Sequence, residues 1–265
     1  MASGDPAAEF TVVTLNMHGV WPGWWRRERL LLDQLAALAP DIVALQEVAV
    51  WWPQARWLAW RLGRRRPGAH FRAFVARKQG WRAAAQGLAI LSRLPMERPR
   101  LVDLGNAGRV AQVAAVTTET HARVVLANAH LSHGGGSGEE RLAQARALLA
   151  QLPGAGSVVL AGDFNAQPSS RTAALLAARF RSAHAAANGS EPSRTAPAVL
   201  REGQPGYVLD YVWVSAVVEV VTCAVAFGEV RGRGPAVATA SDHLGIVARL
   251  RAPVSAPGVE GTHRG

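Results

Sequence analysis

The stretch Val158-Val159-Leu160-Ala161-Gly162-Asp163-Phe164-Asn165-Ala166-Gln167-Pro168 decides how this chain is read. An unbroken apolar run of strand length is what a strand buried on both faces looks like. Here it ends in a turn-forming Gly-Asp-Phe-Asn. Ser241-Asp242-His243-Leu244-Gly245-Ile246-Val247 has the reverse pattern, with polar residues opening an apolar run. Each taken alone has a plain reading, the first as loop chemistry and the second as a cap. Together they place acidic, amide and imidazole groups at strand ends, where rigid scaffolds hold reactive side chains.

Outward from these two stretches, strands dominate. Phe10 to Asn16, Ile42 to Val48, His70 to Ala76 and Gly87 to Ser92 are predicted strands. Val110 to Thr117 and Arg123 to Ala129 read as a hairpin pair, and Tyr207 to Val214, Val217 to Ala226 and Leu244 to Leu250 finish the set. Leu30, Leu31, Leu35 and Leu38 fall at helical spacing between Arg26 and Ala39, and Pro40 stops that helix. Trp51 to Leu62, Glu139 to Leu152 and Ser170 to Phe180 are further helices. Many buried strands with a few interspersed helices predict an α/β (α+β) four-layer αββα sandwich, two mostly antiparallel sheets with helices outside. The expected domain runs over 10–251, with an N-terminal extension at 1–9 and a flexible tail at 252–265. Gly134 to Gly138 reads as a flexible loop and Asn188 to Gly206 as a surface excursion.

Bulk properties narrow the classes. At 265 residues and 49% hydrophobic content, the chain can bury a sizeable core. Its net charge is +10, and arginine far exceeds lysine. Such a surface favours polyanionic partners, but a chain so rich in Ala, Arg and Gly also acquires arginine by composition alone. The single cysteine, Cys223, excludes an internal disulfide framework and a cysteine zinc site, and its apolar setting reads as core filler. Val208 to Val230 is long enough to consider as a membrane helix. Asp210, Glu219 and its β-branched and aromatic content make it two strands joined by a turn. The first residues lack the pattern of an export signal. The expectation is a cytoplasmic monomer with no integral membrane segment.

Polar residues recur at the strand ends: Asn16; Glu47 in Ala-Leu-Gln-Glu-Val; His130 in Ala-Asn-Ala-His-Leu; Asp163 and Asn165; Asp242 and His243. Asp210 stands in Val-Leu-Asp-Tyr-Val-Trp-Val, where an unpartnered carboxylate is costly. Gathered on one edge, these residues form a cluster of carboxylates, amides and imidazoles. Carboxylates that close repel unless a cation lies among them. Oxygen ligands suit Mg2+ or Mn2+ rather than zinc. A hard cation beside imidazoles suits a phosphate ester, whose developing charge both can stabilise.

The ordered set of Leu-Asn16, Gln-Glu47-Val, Gly-Leu-Ala-Ile-Leu-Ser92-Arg93, Asn-Ala-His130-Leu, Gly-Asp163-Phe-Asn165, Asp210-Tyr-Val-Trp-Val and Ser-Asp242-His243 resembles the endonuclease/exonuclease/phosphatase superfamily. It spans Asn16 to Leu250. The resemblance implies a DNase I-like fold and Mg2+-dependent phosphoester hydrolysis, with Mn2+ as the other candidate. It implies Glu47 as the main metal ligand, helped by Asn16 and Asp242. It casts Asp163 as the residue that orients the attacking water, Asn165 and His130 as phosphate contacts, and His243, paired with Asp210, as the transition-state stabiliser.

Substrate is less determined. His18 stands where abasic-site endonucleases of this superfamily usually carry Asp, and His130 where they usually carry Tyr. Both departures count against that activity. Candidate substrate contacts are His18, Ser92, Trp24 and Arg26. Trp21, Trp24 and Trp25, and then Trp51, Trp52, Trp57 and Trp60, leave the expected metal edge. Three roles are open to them: stacking on bases, dipping into a lipid interface, or packing helix on sheet. Arg61, Arg64, Arg65 and Arg66, with Arg72, Arg77, Lys78 and Arg82, could follow a phosphate backbone or form a solvated helix end. The leading expectation is a nuclease. Against it stand a phosphodiesterase or phosphatase for a phospholipid or small phosphorylated metabolite, and a non-catalytic binding module of the same fold.

Overall fold

A computed structural model describes residues 8–20, 23–77, 85–105, 108–134, 138–199, 203–232 and 237–254. The elements in chain order are β1 (Ala8–Asn16), α1 (Trp24–Ala37), β2 (Ile42–Ala49), α2 (Gln54–Arg65), β3 (Arg72–Arg77), β4 (Gln86–Ser92), β5 (Arg100–Asp103), β6 (Val110–Thr117), β7 (Arg123–His130), α3 (Gly138–Leu149), β8 (Ser157–Asp163), α4 (Arg171–Ala177), β9 (Arg181–Ser182), α5 (Ala183–Asn188), β10 (Asp210–Val214), β11 (Glu219–Ala226) and β12 (Gly245–Ala252). They form two six-stranded sheets, ordered β11-β12-β1-β2-β4-β3 and β5-β6-β7-β8-β10-β9. The expected sandwich of two mostly antiparallel sheets is what the chain folds into. Each sheet carries one parallel pair near its centre, β1 with β2 and β7 with β8.

Alternation along the strands assigns the layers. Val12, Ile42 and Ala44 face the second sheet and pack with Leu126, Val159, Ala161 and Val212. Their neighbours Val13, Val43 and Leu45 face outward and are covered by Leu31 and Leu35 of α1 and by Leu58 and Leu62 of α2. On the second sheet, Val158 and Leu160 meet Ala145 and Leu148 of α3 and Leu176 of α4. Two buried faces per central strand explain the unbroken apolar runs in the sequence. The run from Val208 to Val230 is indeed two strands, and Cys223 is buried. Among the described residues, no helix is long and apolar enough to cross a membrane.

A chain of amides spans the inter-sheet space. Gln46 of β2 donates through Nε2 to Asn128 Oδ1 of β7 at 2.8 Å. Asn128 Nδ2 reaches the Leu45 and Ala89 carbonyls and Gln112 Oε1. Gln112 Nε2 continues to the Phe74 carbonyl at 2.9 Å. All three side chains are buried. In a low-dielectric interior a fully satisfied network fixes one alignment, since slipping strands the amides.

Some expectations change. β5 was missed because it is a four-residue edge strand with mostly exposed side chains. The stretch 188–206 is not merely a surface excursion: Thr195, Ala196 and Ala198 are buried. The extension before residue 8 and the tail from 255 lie outside the described residues, as do Trp21, Lys78, Arg82 and most of the Gly134 to Gly138 loop.

Gly162 tests this packing. Its φ is +151°, and a Cβ built on it would sit 2.0 Å from the Ala129 carbonyl oxygen of the parallel neighbour β7. The clash is with backbone inside a buried sheet, which cannot yield cheaply. Gly162→Ala is expected to destabilise the protein by more than about 3 kcal/mol in urea titrations; a loss below about 1 kcal/mol would contradict the close approach.

Candidate active site

The parallel strands end together. Asn16 closes β1, Glu47 lies near the end of β2, and His130 and Asp163 close β7 and β8 as register partners. The antiparallel neighbours begin where these end. Asp210 opens β10 opposite Asp163, and Asp242 and His243 immediately precede β12. Crevices at the carboxyl ends of parallel strands are the usual ligand sites of sheets with this connection. Asn16, His130, Asp163 and Asp210 are buried, while Glu47, Asn165 and His243 are half-buried and Asp242 is exposed. The edge therefore grades from a dry floor to a wet rim.

Local backbone aims these groups. β2 and β4 pair Leu45 with Ala89 and then Val48 with Gly87, so Gln46 and Glu47 together oppose one residue. This bulge puts Glu47 at φ +53°. Bulges re-aim side chains in this way. Gln86 Nε2 donates to Glu47 Oε2 at 3.1 Å and fixes the carboxylate. His18 and Asn165 also have positive φ, 52° and 49°. Each such residue costs on the order of 1 kcal/mol, and this concentration at one edge is typical of functional sites.

The buried charges form one connected set. Asn16 Nδ2 donates to Asp163 Oδ2 at 3.0 Å, and the Asn165 amide donates to Asp163 Oδ1 at 2.9 Å. His130 Nε2 lies 3.5 Å from Asp163 Oδ2 and 4.0 Å from Glu47 Oε1. His243 Nδ1 is 2.9 Å from Asp210 Oδ2. His18 Nδ1 is 3.4 Å from Asp242 Oδ1 at the rim. Burial, and then the Asp210 charge, push the Asp163 carboxyl up to about 7, against the opposing pull of His243, Asn16 and Asn165. Burial works against charge on His243, but Asp210, Asp163 and Asp242 outweigh it and raise its pKa to about 10.

The acidic edge offers oxygen donors of the kind a hard divalent cation takes. One carboxylate oxygen each of Asp163 and Asp210 lies within 4.8 Å of the other and of His243, whose charged ring pairs with Asp210 and is not itself a donor. Asp210 Oδ1 is buried with no hydrogen-bond partner among the described residues. Surplus buried negative charge with oxygen donors at an open rim is what Mg2+ or Mn2+ relieves.

Several supporting residues were not anticipated. Thr195 Oγ1 accepts from the Leu209 and Asp210 amides, and its carbonyl accepts from Leu244 N, tying β10 to the segment before β12. Arg27 is buried and donates to the carbonyls of Met17, Gly19 and Ala240, joining the loop after β1 to the loop carrying Asp242. Arg109 lies buried with Nη2 3.1 Å from His133 Nδ1. Burial lowers its pKa, and the charges of Asp163, Glu47 and Glu140 oppose that fall. Nothing in the local sequence marks Thr195, in a Ser-Arg-Thr-Ala-Pro turn. Arg27 and Arg109 carry one weak signal, each falling beside a strand-end segment.

Two expected substrate contacts are corrected. Ser92 pairs with Ile42 at the start of β2, the opposite end of that strand from Glu47, and its Oγ is spent on Leu94. Trp24 is buried edge-on between Trp52 and Trp57, so its ring has no free face. Arg26 is exposed in the first turn of α1.

A two-sheet sandwich with this acid–imidazole edge defines a phosphoester hydrolase of the DNase I-like class. The sequence model of the Endonuclease/Exonuclease/phosphatase family matches residues 13–243, and the chain belongs to that family. The comparison with curated proteins found no match. Among solved structures, the catalytic domain of human Nocturnin with bound sulfate is 22% identical and superposes with a TM-score of 0.76, covering 93% of this chain and 94% of that one. D. rerio TDP2 complexed with a single-strand DNA product is 18% identical, with TM-score 0.72 and coverage of 92% and 99%. A mannosyl-6-phosphatase from Bacteroides thetaiotaomicron is 17% identical, with TM-score 0.73 and coverage of 91% and 99%. At these identities the likeness is one of fold.

The His243–Asp210 pair gives a pH test. The folded pKa of His243, about 10, lies above its ordinary 6.5. The pair's stabilisation is therefore full below about pH 6.5 and is lost as pH rises through about 10. In the metal-free protein the His243 ring resonances should stay those of an imidazolium from pH 6 to 8.5. In Asp210→Asn they should titrate at least about one unit lower. A wild-type midpoint near 6.5 would overturn the pairing.

Proposed function

We propose that this phosphoester hydrolase is an Mg2+-dependent phosphodiesterase that acts on nucleic acid, with Mn2+ able to replace Mg2+. The observation that carries the reading is the convergence of the His243–Asp210 pair and the carboxylates of Glu47, Asp163 and Asp242 on one sheet edge. A binding module has no need of a half-buried imidazolium held beside a second carboxylate.

Roles follow from the surroundings of each group. Glu47, with Asn16 and exposed Asp242, supplies the oxygen ligands. A cation held by them would supply charge neutralisation for the phosphoryl group and its leaving oxygen. Asp163, raised to about 7, is poised to accept a proton from water near neutral pH. His243 keeps its charge through Asp210 and offers its remaining N–H to a phosphoryl oxygen. His130 and Asn165, held at 3.5 Å and 2.9 Å from Asp163, contact the same phosphate. His18 and Arg26 extend the contact surface at the rim. Nucleic acid is favoured by the net charge of +10 and by exposed Trp25 and Trp51 on the segments that leave this edge.

The test is a hydrolysis panel of DNA, RNA, sphingomyelin, a sugar phosphate and bis-p-nitrophenyl phosphate, with Mg2+ and with EDTA. Polynucleotide cleavage should require the cation. Glu47→Gln and His243→Ala should each lower kcat by about 100-fold or more while leaving the circular dichroism unchanged. Wild-type rates in either variant would remove that residue from the site. Activity confined to sphingomyelin or the sugar phosphate would overturn the nucleic-acid reading and leave the hydrolase intact.

A further inference from the structure

The tryptophan- and arginine-rich segment that begins just past Glu47 builds a second feature, away from the reaction edge. α2 buries Ala55, Leu58, Ala59 and Leu62 against the first sheet. Its opposite face carries Arg56, Trp60 and Arg64, at i, i+4 and i+8, all exposed. Two cavities lie along the seam between α2 and the edge strand β3. One, of about 350 Å3, runs from Val50 and Trp51 to Arg56 and Arg77. The other, of about 430 Å3, continues from Arg56 past Trp60 and Arg64 to His70. They share Arg56 in their linings and lie along one seam, referred to as the α2–β3 groove, whose first end reaches Ala49, two residues after Glu47.

The chemistry of the groove is one-sided. Its described lining holds Arg56, Arg64, Arg77 and His70 and no acidic residue. Arg56, Arg64 and Arg77 make no ion pair among the described residues, whereas neighbouring Arg65 is bound to Asp33. Trp51 is 64% exposed and Trp60 56% exposed, and the Arg64 guanidinium lies 5.4 Å from the Trp60 ring centroid. Trp51 lies three residues before α2 and Trp60 in its middle, so each cavity of the seam has one exposed indole in its lining. Exposed flat rings with arginines beside them that no acid neutralises are the elements that hold a single-stranded polynucleotide. A bilayer, the other surface that tryptophan and arginine suit, meets a convex crest and not a groove between helix and strand.

We propose that the α2–β3 groove is an accessory binding track for single-stranded nucleic acid, in which Trp51 and Trp60 stack on bases and Arg56, Arg64 and Arg77 contact phosphates. The track rests on the nucleic-acid reading of the reaction edge and adds a surface outside it. A strand engaged in the groove has its near end beside Glu47, so the track would tether a long substrate and leave a short one unaffected.

The experiment measures binding of a fluorescein-labelled oligothymidylate of about 12 nucleotides by the full chain in EDTA, across a salt series. Trp60→Ala should raise Kd about tenfold. Arg56→Ala with Arg64→Ala should raise Kd and reduce the slope of log Kd against log salt by about 0.7 per arginine, a readout that a structural role would not move. Bis-p-nitrophenyl phosphate, too small to reach the groove, should be hydrolysed at an unchanged rate. If wild type binds and cleaves polynucleotide and the variants match it in Kd and slope, the groove proposal is overturned and the nuclease reading stands. If wild type neither binds nor cleaves any polynucleotide, the nuclease reading is overturned and the track with it. Binding by the variants lost only to phosphatidylserine vesicles would overturn the track in favour of a membrane surface.

Discussion

Three ionisable groups in the protein interior set the terms for everything around them. Asp163 and Asp210 face each other across β8 and β10, and His243 bonds to Asp210. Buried charges are tolerated only where geometry and hydrogen bonding are nearly complete. Much of the surrounding structure supplies that completeness. Asn16 and the Asn165 amide satisfy Asp163, Thr195 holds the Asp210 backbone, and Ser241 Oγ receives the His243 amide. The loop that presents His243 is anchored by Arg27 through Ala240. One carboxylate oxygen, Asp210 Oδ1, has no hydrogen-bond partner among the described residues. A cation held at this edge would offset that negative charge.

The sheets make such an edge possible. Side chains at the ends of central parallel strands inherit the rigidity of a layer buried on both faces. The Gln46–Asn128–Gln112 amides then lock the two sheets in one alignment, one residue before the Glu47 bulge. Strain at His18, Glu47 and Asn165 is borne by this framework. Local distortion and global order are therefore adjacent at this edge: three residues at the site, His18, Glu47 and Asn165, leave regular backbone geometry beside the locked sheets.

What the sequence disclosed follows from range. The Val158–Pro168 stretch is local: an apolar run, a glycine and a polar turn, each in contact with its chain neighbours. Asp210 announced itself because an acid in an apolar strand demands a partner, and His243 is that partner. The apolar pattern also separated two strands from a membrane helix in Val208 to Val230. What stayed hidden is long-range. Thr195 sits in a turn-like sequence, and only the fold brings it under Asp210. Ser92 belongs to a strand correctly read, but its place at the far end of that strand depends on the direction of pairing with β2. Trp24 was a candidate for stacking because composition cannot distinguish an indole wedged between two others from one facing water.

The pairing of β1 with β12 has a topological consequence. Ala8 and Ala252 are cross-strand partners at one end of that antiparallel pair, and Thr14 and Ile246 lie near the other. The backbone thus enters and leaves the sandwich at a single corner, about 27 Å along the strands from the reacting edge. In effect the polypeptide is a nearly closed ring, and where that ring is opened is separable from what the edge does. A circular permutant joined at this corner and cut at an exposed turn would preserve every strand neighbour.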